Sequence, residues 1–140
     1  MDQGFWNKLE KPFFVLAPLA NVTDASFRQH IIRYSRPDVI WTEFVSADGL
    51  CHPVGQKERP IVAQLFTAHP DKMREAARIV AELGFDGIDI NMGCPDKNVM
   101  KQGAGASCMK DPENAVALIQ AAKKGVEDAG KNIPVSVKTR

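Results

Sequence analysis

The stretch Asp89-Ile90-Asn91-Met92-Gly93-Cys94-Pro95 runs from alternating apolar residues into a Gly-Cys-Pro turn, which sets one thiol at the end of a strand. An ordinary thiol has a pKa of about 8.5, so at neutral pH it is mainly protonated and can serve as a proton donor as readily as a nucleophile. The residues alone leave both roles open. Gln64, Asn91 and Lys138 stand at or near the ends of other apolar runs, where two amides and an ammonium could converge on one planar polar ligand. Each also has a plainer role. Cysteine is among the most often buried residues, a strand-end lysine lays its stem along apolar surface, and amide side chains tie down local loops. Cys51 and Cys108 suit the buried role better than Cys94, because neither follows a strand. His30, His52 and His69 are remote from Cys94 in sequence, so only the fold could supply a Cys–His pair. Lys97 to Lys101 with Gly103-Ala104-Gly105-Ala106 offers either an anion cradle of lysines and backbone amides or a solvated loop.

The elements that must position these groups are set by periodicity. Phe13-Phe14-Val15-Leu16-Ala17, stopped by Pro18, predicts a short strand buried on both faces. Thr23 or Asp24 caps a helix carrying Phe27, Ile31 and Tyr34, which ends before Arg36-Pro37. Val39 to Val45 predicts a second strand, Ser46 to Arg59 a loop with Gly49, Pro53 and Gly55, and Ile61 to Phe66 a third strand. Met73, Ala76, Ala77, Val80 and Leu83 make the clearest helical stripe in the chain, stopped by Gly84. Gly87 to Asn91 predicts a fourth strand, and Met92 to Lys110 a long polar loop. Asp111-Pro112 caps a helix with an Ala115, Val116, Ile119, Ala122 and Val126 stripe that ends near Gly130, and Pro134 to Lys138 predicts a fifth strand.

Five strands separated by helices or helix-length connections imply a parallel α/β sheet. No Gly-x-Gly-x-x-Gly follows the first strand, which argues against a dinucleotide fold. Polar residues at strand ends (Glu43, Gln64, Asn91, Lys138) instead match a (β/α)8 barrel of TIM type, whose site lies at that end. A whole barrel needs roughly 250 residues, so a chain of 140 predicts a partial barrel with about five of eight strands. Alternation puts Ser136 and Lys138 on one face of the fifth strand, and Gly87, Asp89 and Asn91 on one face of the fourth.

Composition sets the outer limits. With 44% hydrophobic and 25% charged residues the chain reads as one ordinary soluble domain. Its 18 basic and 17 acidic residues carry no whole-chain signature for nucleic acid or membrane. Three cysteines without metal-ligand spacing suggest neither a disulfide framework nor a metal site and favour a reducing cytoplasm. Residues 1–12 read as a polar lead-in with no signal-peptide or membrane-spanning stretch, so a soluble cytoplasmic protein is expected.

Taken together, the motifs resemble the tRNA-dihydrouridine synthase family. The matching stretches are Ala17-Pro18-Leu19, Val22-Thr23-Asp24, Phe27-Arg28, Thr42-Glu43-Phe44, Gln64-Leu65, Asp89 to Pro95, Gly103-Ala104-Gly105-Ala106, Asp111-Pro112 and Val137-Lys138-Thr139-Arg140, in family order from about Phe13 onward. The resemblance implies FMN-dependent reduction of uridine to 5,6-dihydrouridine in tRNA, with NADPH as reductant. It implies Cys94 as the proton donor to the uracil. Pro18, Leu19 and Ala20 would line the flavin, Gln64 and Lys138 would bond its ring, and Asn91 would lie beside flavin and target base. Leu19 stands where the family usually has methionine. The resemblance also implies that residues 13–140 are the N-terminal portion of the barrel. Its remaining strands, its flavin-phosphate ligands and a helical tRNA-binding domain would fall outside the chain. A half-barrel exposes its interior and two strand edges, so either a missing C-terminal half or self-association would close it. Two other functions compete: a noncatalytic or self-associating half-barrel fragment, and another FMN-barrel oxidoreductase acting on a free dihydropyrimidine.

Overall fold

The computed structural model describes residues 4–45 and 58–140. The predicted loop from Ser46, with Cys51 and His52, lies largely outside them. Five parallel strands run in the order β1 (Val15–Leu16), β2 (Val39–Val45), β3 (Ile61–Leu65), β4 (Gly87–Asn91) and β5 (Val135–Lys138). They curl into a half-barrel of TIM type, as the strand count predicts. The helices are α1 (Ala25–Tyr34), α2 (Pro70–Glu82), α3 (Lys97–Lys101) and α4 (Pro112–Asp128), with 3-10 turns at Gly4–Lys8 and Gly105–Lys110.

Alternation along β3 and β4 separates two environments. Ile61, Ala63 and Leu65 of β3, with Ile88 and Ile90 of β4, face outward into a core completed by Met73, Ala77 and Val80 of α2 and by Leu118, Ala122 and Val126 of α4. Gln64, Asp89 and Asn91 fall on the inner face, where they hydrogen-bond to one another. A register irregularity between Trp41 and Phe44 interrupts the β2–β3 ladder. Thr42 fills the gap, its hydroxyl accepting from the Gln64 backbone N–H at 3.1 Å and donating to the Glu43 carbonyl at 2.7 Å.

Caps explain most helix boundaries. Asp24 accepts from the Phe27 N–H at 2.8 Å, and Asp111 accepts from the Asn114 N–H at 3.0 Å ahead of Pro112. Thr23 is therefore not the α1 cap; it ties the preceding loop instead.

Four sequence expectations are corrected. β1 is two residues long and not buried on both faces: Phe14 is 73% and Val15 44% exposed, because β2 is its one strand partner among the described residues. Tyr34, the last residue of α1, is 79% exposed and does not continue the buried stripe. Val116 is likewise exposed, and the buried stripe of α4 runs through Leu118, Ala122, Gly125 and Val126. Finally, Met92 to Lys110 is not a featureless loop, because Asp96 caps α3 by accepting from the Asn98 and Val99 N–H groups. The lead-in is also part of the fold. Trp6 packs on Trp41 with ring centroids 5.7 Å apart, and Phe5 approaches Gly87 at the start of β4.

Helices α2 and α4 are in close contact at Gly125, where a Cβ would clash with the Arg74 carbonyl oxygen. Alanine is favoured over glycine in a helix by about 1 kcal/mol, but overpacking against backbone costs about 1–3 kcal/mol. Gly125→Ala should therefore lower the midpoint of thermal unfolding despite its better helix propensity. A raised midpoint would show that the two helices can separate at little cost.

Candidate active site

Cys94 leaves the C-terminal end of β4 on a turn held from three directions. Asn91 Oδ1 accepts from the N–H groups of Gly93 at 3.1 Å and Cys94 at 3.0 Å. The Cys94 carbonyl accepts from the Ala106 N–H at 3.0 Å, which brings the turn before α4 down onto the thiol residue. Gly93 lies against the chain leaving β5, where a Cβ would be 2.9 Å from the Thr139 carbonyl carbon. Gly105 has φ +59°, and a Cβ there would meet the Cys94 carbonyl oxygen at 2.7 Å. The Gly-Ala-Gly-Ala segment thus serves as a backbone clamp. Cys94 itself remains partly exposed, whereas Cys108 is buried with its Sγ 3.5 Å from the Gly103 carbonyl, and burial pushes that thiol's pKa up.

Most of the backbone donors that an anion cradle over Lys97 to Ala106 would use are bonded within the protein. The N–H groups of Asn98 and Val99 go to Asp96, those of Gln102 and Ala104 to Val99, that of Gly103 to Met100 and that of Ala106 to Cys94. These backbone donors are occupied within the protein.

Behind Asn91 the inner face continues as a line of side-chain hydrogen bonds. Asn91 Nδ2 donates to Gln64 Oε1 at 3.3 Å, Gln64 Nε2 donates to Asp89 Oδ2 at 2.6 Å, and Ser136 Oγ donates to Asp89 Oδ1 at 2.7 Å. Strand register makes this possible, because Gln64 stands opposite Asp89 and Asp89 opposite Ser136. Burial raises the Asp89 pKa above the usual carboxylate range; the bonds from Gln64 and Ser136, the Lys138 charge and the Trp41 indole oppose that rise. The folded chain therefore binds this proton more tightly than the unfolded chain. In sign, Asp89 contributes least to stability once pH has risen through its raised folded pKa.

A cleft of about 280 Å³ opens on the inner face, lined by Trp6, Pro18, Trp41, Asp89, Ser136 and Lys138 among others. Pro18 enters it from a stiff loop. The Leu19 N–H donates to Thr23 Oγ1 at 3.1 Å, and the Asn21 N–H donates to Glu43 Oε2 at 2.8 Å. The buried pair Arg28–Glu58 anchors the same loop, with Arg28 also donating to the Thr23 carbonyl.

The fold therefore gathers Pro18 and Lys138 at the cleft, with Gln64 and Asn91 joined to its floor through Asp89. Cys94 stands at the far end of that line. Leu19 and Ala20 are exposed and do not line the cleft. Asp89, Ser136, Trp41 and Trp6 were missed as site residues. Strand parity marks Asp89 and Ser136 as inward-facing, but nothing local reveals their partners. Among the described residues no three His, Cys, Asp or Glu side chains form a metal site, and no helix is long and apolar enough to cross a membrane.

Gly105→Ala should destabilise the chain by about 1–3 kcal/mol, the cost of forcing a side chain into a left-handed conformation. It should also change the rate at which iodoacetamide alkylates Cys94. Denaturant melts and mass-mapped labelling would check both, and a variant unchanged in both would remove the clamp.

The motif order, the strand-end thiol and the inner-face cleft can be set beside known proteins. The family model described as dihydrouridine synthase matches residues 15–140. A probable tRNA-dihydrouridine synthase of Staphylococcus epidermidis is 42% identical over an alignment covering 100% of this chain and 44% of that protein. Probable tRNA-dihydrouridine synthase 2 of Bacillus subtilis is 44% identical, with 100% and 45% covered. The chain thus spans less than half the length of these curated relatives. A match running from the first strand to the last residue, through the motif that carries Cys94, places the chain in the dihydrouridine synthase family.

Proposed function

We propose that this chain forms the catalytic half of an FMN-dependent enzyme that reduces uridine in tRNA to 5,6-dihydrouridine, with Cys94 giving the proton. The observation that carries the reading is the clamped Cys94 turn, set beside an inner-face cleft and embedded in the family's motif. Relatives named for tRNA-dihydrouridine synthesis support the substrate class. A tRNA substrate fits a cytoplasmic protein.

The residues present fit a flavin ring. The cleft supplies aromatic and proline walls with a cation at its mouth, and its volume is near the lower end for small-molecule sites. A carboxamide offers two N–H donors and two lone pairs. Gln64 has one of each left after bonding Asp89 and Asn91, and Asn91 has one N–H left, its oxygen being filled by Gly93 and Cys94. Lys138 closes no ion pair among the described residues and so retains its ammonium donors for a ring carbonyl or nitrogen. Pro18 would bear on the ring directly, with Leu19 and Ala20 at its rim.

A flavin held there, with NADPH as its reductant, would supply the hydride to C6 of the uracil. The chain's own part is to hold the thiol proton where C5 can take it, on the opposite side of the base. Asn91 fixes that position by holding both N–H groups of the turn, and its spare N–H can meet a carbonyl of the base. A uridine inside a folded tRNA must be extruded to reach this depth. The inner face and the free edges of β1 and β5 would be covered by the remaining barrel strands. Those strands would bring the flavin-phosphate ligands and a helical domain to grip tRNA.

Cys94→Ala in the full-length protein should keep its flavin absorbance yet reduce tRNA at least about 100-fold more slowly, the usual effect of losing a general acid. Unchanged turnover would eliminate the proton-donor role. Lys138→Ala should instead loosen the flavin, seen as a lower flavin-to-protein ratio after gel filtration; full loading would refute the assigned contact.

A further inference from the structure

We propose that Asp89 is the positioning residue of the site: as an acceptor-only group it sets the direction of both buried amides and, through them, the conformation of the Cys94 turn. A carboxamide has nearly the same shape either way round, so packing alone does not decide which end points where. Here the decision is made electrostatically and passed along.

Both Asp89 oxygens accept, one from Ser136 Oγ at 2.7 Å and the other from Gln64, which must therefore turn Nε2 toward it, as it does at 2.6 Å. Gln64 Oε1 then faces Asn91, which must answer with Nδ2, at 3.3 Å. Asn91 Oδ1 is thereby left pointing at the N–H groups of Gly93 and Cys94. Reversing Gln64 would set its oxygen against the carboxylate and its NH2 against Asn91. Asn91 would then reverse as well and present an NH2 to two backbone donors, so that the turn loses its side-chain support. Asp89 itself is kept from rotating by the Ser136 hydroxyl at 2.7 Å on its other oxygen. Thr42, the other polar neighbour of Gln64, bonds its backbone N–H and has no say in the amide direction.

The placement is not what stability alone would select. Asp89 is 2% exposed, and a buried carboxylate must give up its water shell. Its retention in the interior is accounted for by the orientation that it imposes. Only the role of Cys94 as the working group rests on the proposed function; the order of the amides stands on the hydrogen bonds.

Hydrogen exchange tests it in the full-length protein. Asp89→Leu removes the acceptor. Asp89→Asn keeps the shape but is no longer acceptor-only: Ser136 Oγ can donate to its oxygen, or accept from its NH2 by turning its own proton to the Ile88 carbonyl at 3.3 Å, so either end can face Gln64. Exchange at the Gly93 and Cys94 amides should quicken at least about 10-fold in Asp89→Leu, and measurably in the isosteric Asp89→Asn, while reference amides in α2 and α4 hold. Unchanged exchange in Asp89→Leu, or in Asp89→Asn, would overturn the proposal. If the leucine variant does not fold, Gln64→Met cuts the same line one link further on and is read by the same criterion. Faster Gly93 and Cys94 exchange with undiminished tRNA reduction would sink the role of Cys94 while supporting the amide order.

Discussion

Polar atoms shut inside a protein must find partners there, and the inner face of this half-barrel is built on that constraint. Gln64, Asp89 and Asn91 are each less than a tenth exposed, and they come from neighbouring strands whose register sets them side by side. With little water to serve them, they satisfy one another, and Ser136 joins from β5. The orientation of each group becomes the condition for the next. The thiol at the end of β4 inherits its position from this line, since a sulfhydryl is itself too weak a hydrogen-bonding group to hold a turn.

The outer face works differently. There, apolar side chains of β3 and β4 meet the stripes of α2 and α4, and shape decides the contact. A glycine at position 125 lets one helix reach the backbone of the other, and the glycines at 93 and 105 let two further backbones reach the Cys94 turn. The two faces are linked because both are read from the same strands. Moving a strand by one residue would exchange core and site together. This coupling is why a barrel can hold a precise polar constellation without any of it lying on a flexible loop.

In the proposed function, the relation to the dihydrouridine synthases supplies the chemistry of the arrangement. A cleft with aromatic walls, a lysine at its edge and a half-exposed cysteine reached through fixed amides is suited to holding a flat ring and placing a proton near it. The covered length of the relatives is about 44%, and the sheet order leaves one edge of β1 and one edge of β5 unpaired among the described residues. In the proposed function, the site is thus one wall of a larger enclosure.

Much of this was legible in the residues. Period-2 and period-3.6 patterns located β2, β4, α2 and the start of α4 closely, because each depends on side chains a few positions apart. The motifs in their order and spacing, with the Asp89 to Pro95 segment strongest among them, were enough to suggest the family, which the match over residues 15–140 bears out. The exposure of β1 was not legible, since an apolar run reads alike whether its strand has one neighbour or two. Nor was the short helix after Cys94, whose Asp96 cap had no periodic stripe behind it. The sequence by itself determined which residues face inward, through the alternation that the backbone imposes on every strand. Only the tertiary structure decided that Gln64, Asp89, Asn91 and Ser136 become one hydrogen-bonded line. Partnership between strands depends on parallel register across crossovers of about twenty residues or more, and no local pattern encodes that distance.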